Sequence, residues 1–158
     1  MSEALGRLET PVGTVWIRWR ASGVTRLAFE APESPAQGLS EVPDWIRVPL
    51  AEYFAGRCPV PRVAVAPVGT AFQRRVWQAL TDVPPGRPVT YGALAARLGT
   101  SARAVGNACA ANPVPLFIPC HRVVPVRGVG GYAGHREGRY PAIKRWLLVH
   151  EQRFPAGS

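Results

Sequence analysis

The sequence predicts an α/β protein of two lobes. An antiparallel β-sheet lobe with one helix is expected over residues 1–66, and a mostly helical lobe with a helix–turn–helix over residues 67–158. Three observations carry this reading. Apolar residues alternate with period two from Thr14 to Arg20, two short helical patterns meet at Gly99, and the charge balance breaks after residue 66. A length of 158 residues fits one domain, or one small lobe joined to a medium one. With 47% hydrophobic and 18% charged residues the chain can build a core, which excludes wholesale disorder.

In the first lobe Val15, Ile17 and Trp19 share one face of a strand, while Trp16, Arg18 and Arg20 share the other. Ala21-Ser22-Gly23 has the form of a three-residue hairpin turn with glycine in the left-handed position. Thr25, Leu27 and Phe29 continue the alternation. The stretch from Ala31 to Pro43, rich in proline and glutamate, reads as an irregular loop. A short helix is expected around Leu50–Ala55, stopped by Gly56, and a further strand around Arg62–Ala66. No side chain in this lobe suggests chemistry, so it reads as a scaffold.

The second lobe is punctuated by proline. Thr70 can cap a helix from Ala71 to about Leu80 that buries Phe72, Val76 and Leu80. After the Asp82–Pro88 loop, one helical pattern runs from Tyr91 to Leu98 and closes at Gly99. A second, capped at Thr100-Ser101, runs to about Ala111, which makes a helix–turn–helix. The apolar Val114–Pro119 run reads as buried extended chain, and a last helix from near Pro141 should bury Ile143, Trp146 and Leu147.

Charge separates the lobes. Residues 1–66 carry seven arginines against seven acids; residues 67–158 carry eleven arginines and Lys144 against Asp82, Glu137 and Glu151. A neutral part followed by a strongly basic one points to a polyanion held by the second. Three cysteines without a CxxC pair argue against a disulfide framework and a cysteine zinc cage, and no metal or cofactor is expected. No membrane span or signal segment is evident, so a cytoplasmic location is expected, or a nuclear one in a eukaryote.

On the second helix of the pair, Ala102, Val105, Ala108 and Cys109 form a packing face, and Arg103, Gly106, Asn107 and Ala110 form another. A smooth face with one long cation suits the minor groove better than the major groove, where several long polar side chains are needed. Packing of that helix on protein, with Arg103 solvated, is the competing reading. Further on, Cys120 is delivered from an apolar run into His121 and Arg122, whose imidazole and cation would favour the thiolate. Neighbouring residues do not face each other, so a water is the natural relay between thiol and imidazole. The imidazole then needs an acid, and Asp82, Glu137 and Glu151 are the candidates. Glu151 stands out because a carboxylate at a helix C-terminus is disfavoured by the helix dipole.

Pro119-Cys120-His121-Arg122-Val123-Val124, preceded by Asn112-Pro113-Val114-Pro115, resembles the active-site signature of the O⁶-alkylguanine-DNA alkyltransferases. The resemblance runs from Gly69-Thr70-Ala71-Phe72-Gln73 through Val89-Thr90-Tyr91-Gly92 and Ser101–Gly106 to Trp146–Glu151, covering essentially all of the second lobe. It implies an RNase H-like first lobe and a winged-helix-like second lobe. It implies direct reversal of damage in double-stranded DNA: O⁶-alkylguanine is flipped out through the minor groove and its alkyl group moves irreversibly to a cysteine, once per protein. By position, Cys120 is the acceptor, His121 the water-mediated base and Glu151 its orienting acid. Arg103 fills the gap left by the base, Tyr91 rotates the phosphate and polarises the leaving guanine, and Asn112 braces the turn. Tyr132 and Lys144 line or close the pocket, to which Val123, Gly134 and Pro115 contribute, while Thr90, Ser101, Ala102, Gly106, Asn107 and Arg122 complete the DNA contacts. A monomer is expected, with cooperative binding on DNA left open. His135–Tyr140 makes the link to the last helix longer than the family pattern, and the first lobe, with only Cys58 and no histidine, predicts no zinc.

Three other functions compete. A non-catalytic alkyltransferase-like lesion binder would lack the acceptor thiol. A Cys-His-Glu amide hydrolase would need an oxyanion hole and leaves the basic lobe unexplained. A transcription regulator would need more base-reading side chains than Arg103 and Asn107 provide.

Overall fold

The computed structural model describes residues 2–33 and 38–154. Part of the loop expected at Ala31–Pro43 lies outside them. Three strands, β1 (Ala4–Thr10), β2 (Gly13–Arg20) and β3 (Gly23–Ala28), form an antiparallel sheet in chain order. Val15 and Ile17 point inward and are fully buried, as their alternation requires. β1 escapes that alternation because Gly6 stands where an inward side chain would be: a Cβ there would lie 2.7 Å from Ser40 O and Val42 Cγ2. The β2–β3 turn holds two residues rather than the expected three, since Arg20 pairs with Gly23, and a bulge at Arg18/Trp19 absorbs the difference. The strand expected at Arg62–Ala66 reduces to a single parallel bridge, Val24 to Val65.

Helix α1 spans Asp44–Phe54, six residues earlier than expected, and carries Pro49 inside it. Ile46, Leu50 and Tyr53 make one buried stripe, whose packing outweighs the hydrogen bond a proline forfeits. Helix α2 (Ala71–Thr81) opens with a complete capping box between Thr70 and Gln73. It buries Val76, Trp77 and Leu80, while Phe72 is only half-buried. Trp77 Nε1 donates to Ala108 O at 2.9 Å and so fixes α2 against the fourth helix.

The two-residue strands β4 (Val89–Thr90) and β5 (Val123–Val124) pair in parallel. That pairing sets the start of α3 (Tyr91–Leu98) beside the Cys120–Arg122 segment, which forms a short 3-10 turn. Helix α3 ends at Gly99 in the left-handed conformation, φ 66°. Helix α4 (Ala102–Ala110) begins at Ser101, whose hydroxyl accepts from Ala104 N. Val105, Ala108 and Cys109 pack inward as expected, but Ala102 is exposed and joins the outer face with Arg103 and Asn107.

The Val114–Pro119 run is buried but not extended. Ile118 N donates back to Val114 O at 3.0 Å, and Leu116 adopts a positive φ of 79°. Asn112 holds this fold: its Nδ2 donates to Ile118 O at 2.9 Å and its Oδ1 accepts from Val114 N at 3.0 Å. Leu27 N of β3 donates to Pro113 O, tying the sheet to the same turn. The last helix, α5 (Arg139–Glu151), starts two residues before Pro141, whose missing N–H is free of cost in a first turn. It buries Tyr140, Ile143, Lys144, Leu147, His150 and Glu151, whereas Trp146 is half-buried and stacks on His150 at 4.8 Å. One continuous core joins Ile17, Leu50, Val76, Leu94, Val114 and Leu147.

Candidate active site

The 3-10 turn puts Cys120 and His121 on different sides of the backbone. Cys120, 4% exposed, lines a cleft of about 1170 Å³, while His121 is fully buried behind it. His121 Nε2 donates to Glu151 Oε2 at 2.7 Å, which selects Glu151 over Asp82 and Glu137 as the partner acid. Nδ1 of His121 has no protein partner among the described residues.

Glu151 collects buried donors from three residues on two segments, the 3-10 turn and α1. Arg122 Nε reaches its Oε1 at 2.9 Å and Nη2 its Oε2 at 3.0 Å. Tyr53 Oη donates to Oε2 at 2.7 Å. Burial opposes the carboxylate charge, but His121 and Arg122 outweigh it and hold the Glu151 carboxyl down at about 2. Burial acts the other way on His121 and lowers its pKa, which leaves the imidazole neutral beside an ionised glutamate.

Arg122 is therefore not a DNA contact. It is 2% exposed, and Nη1 and Nη2 also donate to Val83 O at 2.9 Å and Pro59 O at 3.4 Å. Its guanidinium is the counter-ion of Glu151 and a clamp on two loops. The expected activation of the thiol by its neighbours is also corrected. Burial pushes Cys120 up to about 11, and the Asn112 carboxamide and Lys144 ammonium draw it back only in part. At rest the sulfur is a thiol.

Tyr91, at the start of α3, lines the cleft, and burial with the nearby cysteines lifts its hydroxyl to about 12. Lys144 reaches up from α5 to Tyr91 Oη at 3.4 Å, Val123 O at 2.7 Å and Gly131 O at 3.1 Å. Its own burial lowers the ammonium to about 8. Tyr132 presents a buried hydroxyl without a protein partner among the described residues, and Gly134 also lines the cleft. Thr90, Ala102, Arg103, Gly106 and Asn107 form the facing wall and lip. Ser101 stays at its capping position, Asn112 and Lys144 stand behind the wall, and Val123 does not line the cleft: it is fully buried and its carbonyl accepts from Lys144 Nζ. Pro115 is not in the pocket: it is buried, bridged to Ile118 in the turn below.

Tyr53, Cys109, Arg136 and Arg145 are among the site residues that the sequence does not mark. Tyr53 lies 98 residues from Glu151 in the chain, with no local pattern linking them. Cys109 belongs to the packing face of α4, yet it also lines the cleft. Arg136 and Arg145 line it from the 135–140 segment and α5. Tyr132 to His135 closes a type I′ turn, with Ala133 at φ 50° and Gly134 at φ 82°, and this sends Arg136 back over Gly131. Among the described residues no cluster of three His, Cys, Asp or Glu could hold a metal ion, and no helix is long and apolar enough to cross a membrane.

Residues 71–153 match the family model described as 6-O-methylguanine DNA methyltransferase, DNA binding domain. The methylated-DNA–protein-cysteine methyltransferase of Salmonella typhimurium is 43% identical over 139 residues, 85% of this chain and 72% of that protein. The protein of the same name from Methanosarcina acetivorans is 36% identical over 90% of this chain and 94% of its own length. The fold matches a crystal structure of Mycobacterium tuberculosis O⁶-methylguanine methyltransferase with a TM-score of 0.82 and 32% identity, covering 98% of this chain and 96% of that one. Mycobacterium tuberculosis OGT in complex with DNA matches with a TM-score of 0.79 and 32% identity over 97% and 96% of the two chains. With the Pro-Cys-His-Arg turn set at a cleft and likeness extending along nearly the whole chain, this protein belongs to the methylated-DNA–protein-cysteine methyltransferase family.

Proposed function

We propose that the chain repairs O⁶-alkylguanine in double-stranded DNA by moving the alkyl group to Cys120, once per molecule. The observation that carries this reading is the placement of Cys120 in a cleft whose lip is the Arg103–Gly106–Asn107 face of α4, with the His121–Glu151 pair directly behind. The O⁶ substituent lies within the base stack, so a buried sulfur requires an everted base. The small outer side chains of α4 suit approach to the minor groove, with Arg103 entering the gap. Thr90 and Ser101, at the N-termini of α3 and α4, suit phosphate contacts.

In the transfer, the thiol proton passes through a water to His121 Nδ1, the Cys120 sulfur bonds the alkyl carbon, and the carbon–O⁶ bond breaks. Electrons return to the guanine ring, which takes a proton from the Tyr91 hydroxyl, and Lys144 supports the resulting charge. Tyr132 offers its free hydroxyl to the base, with Gly134 on the rim. Asn112 acts as a brace, holding the turn that carries Cys120. A thioether has no carbonyl for water to attack, so the product persists.

On this reading residues 1–66 form an RNase H-like scaffold and residues 67–158 a winged-helix-like unit, with α3 and α4 as its helix–turn–helix and β4–β5 in the wing. The protein acts as a monomer in the cytoplasm, or the nucleus of a eukaryote. The test is the mass of the intact protein after incubation with duplex containing one O⁶-methylguanine. A single methyl gain at saturation is expected; an unchanged mass overturns the proposal.

A further inference from the structure

We infer that Tyr53, from the N-terminal sheet-and-helix segment, is a positioning residue for the transfer: its hydroxyl holds Glu151 Oε2 and thereby sets how readily His121 accepts a proton. This rests on the alkyl-transfer reading above. Tyr53 is fully buried on the inner stripe of α1, where phenylalanine would pack as well and would not bury a polar atom. Instead the phenol donates at 2.7 Å to the same carboxylate oxygen that receives His121 Nε2 at 2.7 Å.

The ring has little freedom to do anything else. Phe54 and His150 meet it edge-on, with centroids at 5.2 and 5.1 Å, and His150 Nε2 bonds Tyr53 O at 2.7 Å. α5 thus anchors α1 one residue before Glu151. Burial and the adjacent carboxylate keep the phenol protonated, so it stays a donor throughout the working pH range.

Donors sharing one oxygen compete for its charge. Tyr53 and Arg122 both draw density from Oε2, and what remains stabilises protonated His121. Facing the pair are Arg122 and Cys120 from the 3-10 turn, Lys144 from α5, Tyr53 from α1 and Tyr132, whose ring lies 6.4 Å from the imidazole. Arg122 stays charged, and Lys144, at about 8, titrates above the acid limb. Removing the Tyr53 donor returns charge to Oε2 and makes His121 harder to deprotonate. Since His121 must be neutral to take the thiol proton, the acid limb of the rate profile moves to higher pH.

The experiment is single-turnover methyl transfer from duplex containing one O⁶-methylguanine, followed from pH 5 to 8 by intact mass on the full chain. Tyr53→Phe is expected to slow transfer by up to about threefold on the acid side of the profile. It should move the acid limb upward by about half a pH unit, with duplex affinity unchanged. Replacing Tyr53 with 3-fluorotyrosine, a nearly isosteric but stronger donor, should move the limb downward, and this arm decides the matter if the phenylalanine variant does not fold. Acid limbs that coincide with the wild type in both variants, whatever the rates, overturn the assignment while leaving alkyl transfer standing. A wild-type chain that gains no methyl group overturns both.

Discussion

His121 Nε2 and Glu151 Oε2 lie 2.7 Å apart in a pair that solvent does not reach. The carboxylate fixes the tautomer: Nε2 carries the proton and Nδ1 is left as the acceptor. Because Arg122 shares the same carboxylate, this contact is both chemical and structural.

Glu151→Gln should therefore act twice. Transfer should fall by at least about a hundredfold, the scale of a general base that has lost its orienting acid. The variant also leaves the Arg122 guanidinium buried without a counter-ion, at a cost of about 3–5 kcal/mol. Single-turnover kinetics and urea unfolding read the two effects separately.

The same carboxylate makes stability depend on pH. Its folded pKa of about 2 lies below the ordinary 4.5, so its contribution is complete above 4.5 and disappears as pH falls toward 2. The linked free energy is about 3 kcal/mol, and urea midpoints measured from pH 6 to pH 2 should fall through that window. Glu151→Gln should flatten that part of the curve.

Labelling with iodoacetamide at pH 7 should modify half-exposed Cys58 before buried Cys120. Burial holds the Cys120 thiol at about 11, so in the absence of DNA little of the reactive anion exists. Peptide mapping after partial modification gives the order; Cys120 reacting first would mean a preformed thiolate.

Much of this arrangement is legible in the sequence where the signal is local. Thr70, Ser101 and Gly99 announce helix ends because caps and left-handed turns depend on adjacent residues. Glu151 stands out among three candidate acids by its place at a helix C-terminus, and the family resemblance assigns it. Long-range pairings leave no such mark. Nothing near Tyr53 announces Glu151, and Arg122 looks like one more DNA cation until Glu151, Val83 and Pro59 surround it. The Val114–Pro119 run misleads for a different reason: its burial is correctly indicated by apolar residues, but its reversal depends on the Asn112 side chain and the positive φ of Leu116.

Arg103→Ala should weaken repair of duplex far more than reaction with free O⁶-benzylguanine, because in the proposed function Arg103, exposed on the outer face of α4 at the lip of the cleft, fills the gap that only a duplex has. Equal losses on both substrates would remove Arg103 from the DNA interface.

Arg136 lines the cleft from the segment before α5, with its Cγ 3.4 Å from where a Cβ on Gly131 would stand. Arg136→Ala should open the rim and raise the rate with benzyl relative to methyl adducts. Competition between the two in one reaction gives the ratio directly.

The central claim is best tested by locating the transferred group. After one turnover on duplex bearing a labelled O⁶-methylguanine, protease digestion and mass spectrometry should find the label on the peptide containing Cys120 alone, with the Cys120→Ser protein still bound to DNA but unlabelled. Label on Cys109 or Cys58, or restored guanine without any labelled protein, would contradict the account.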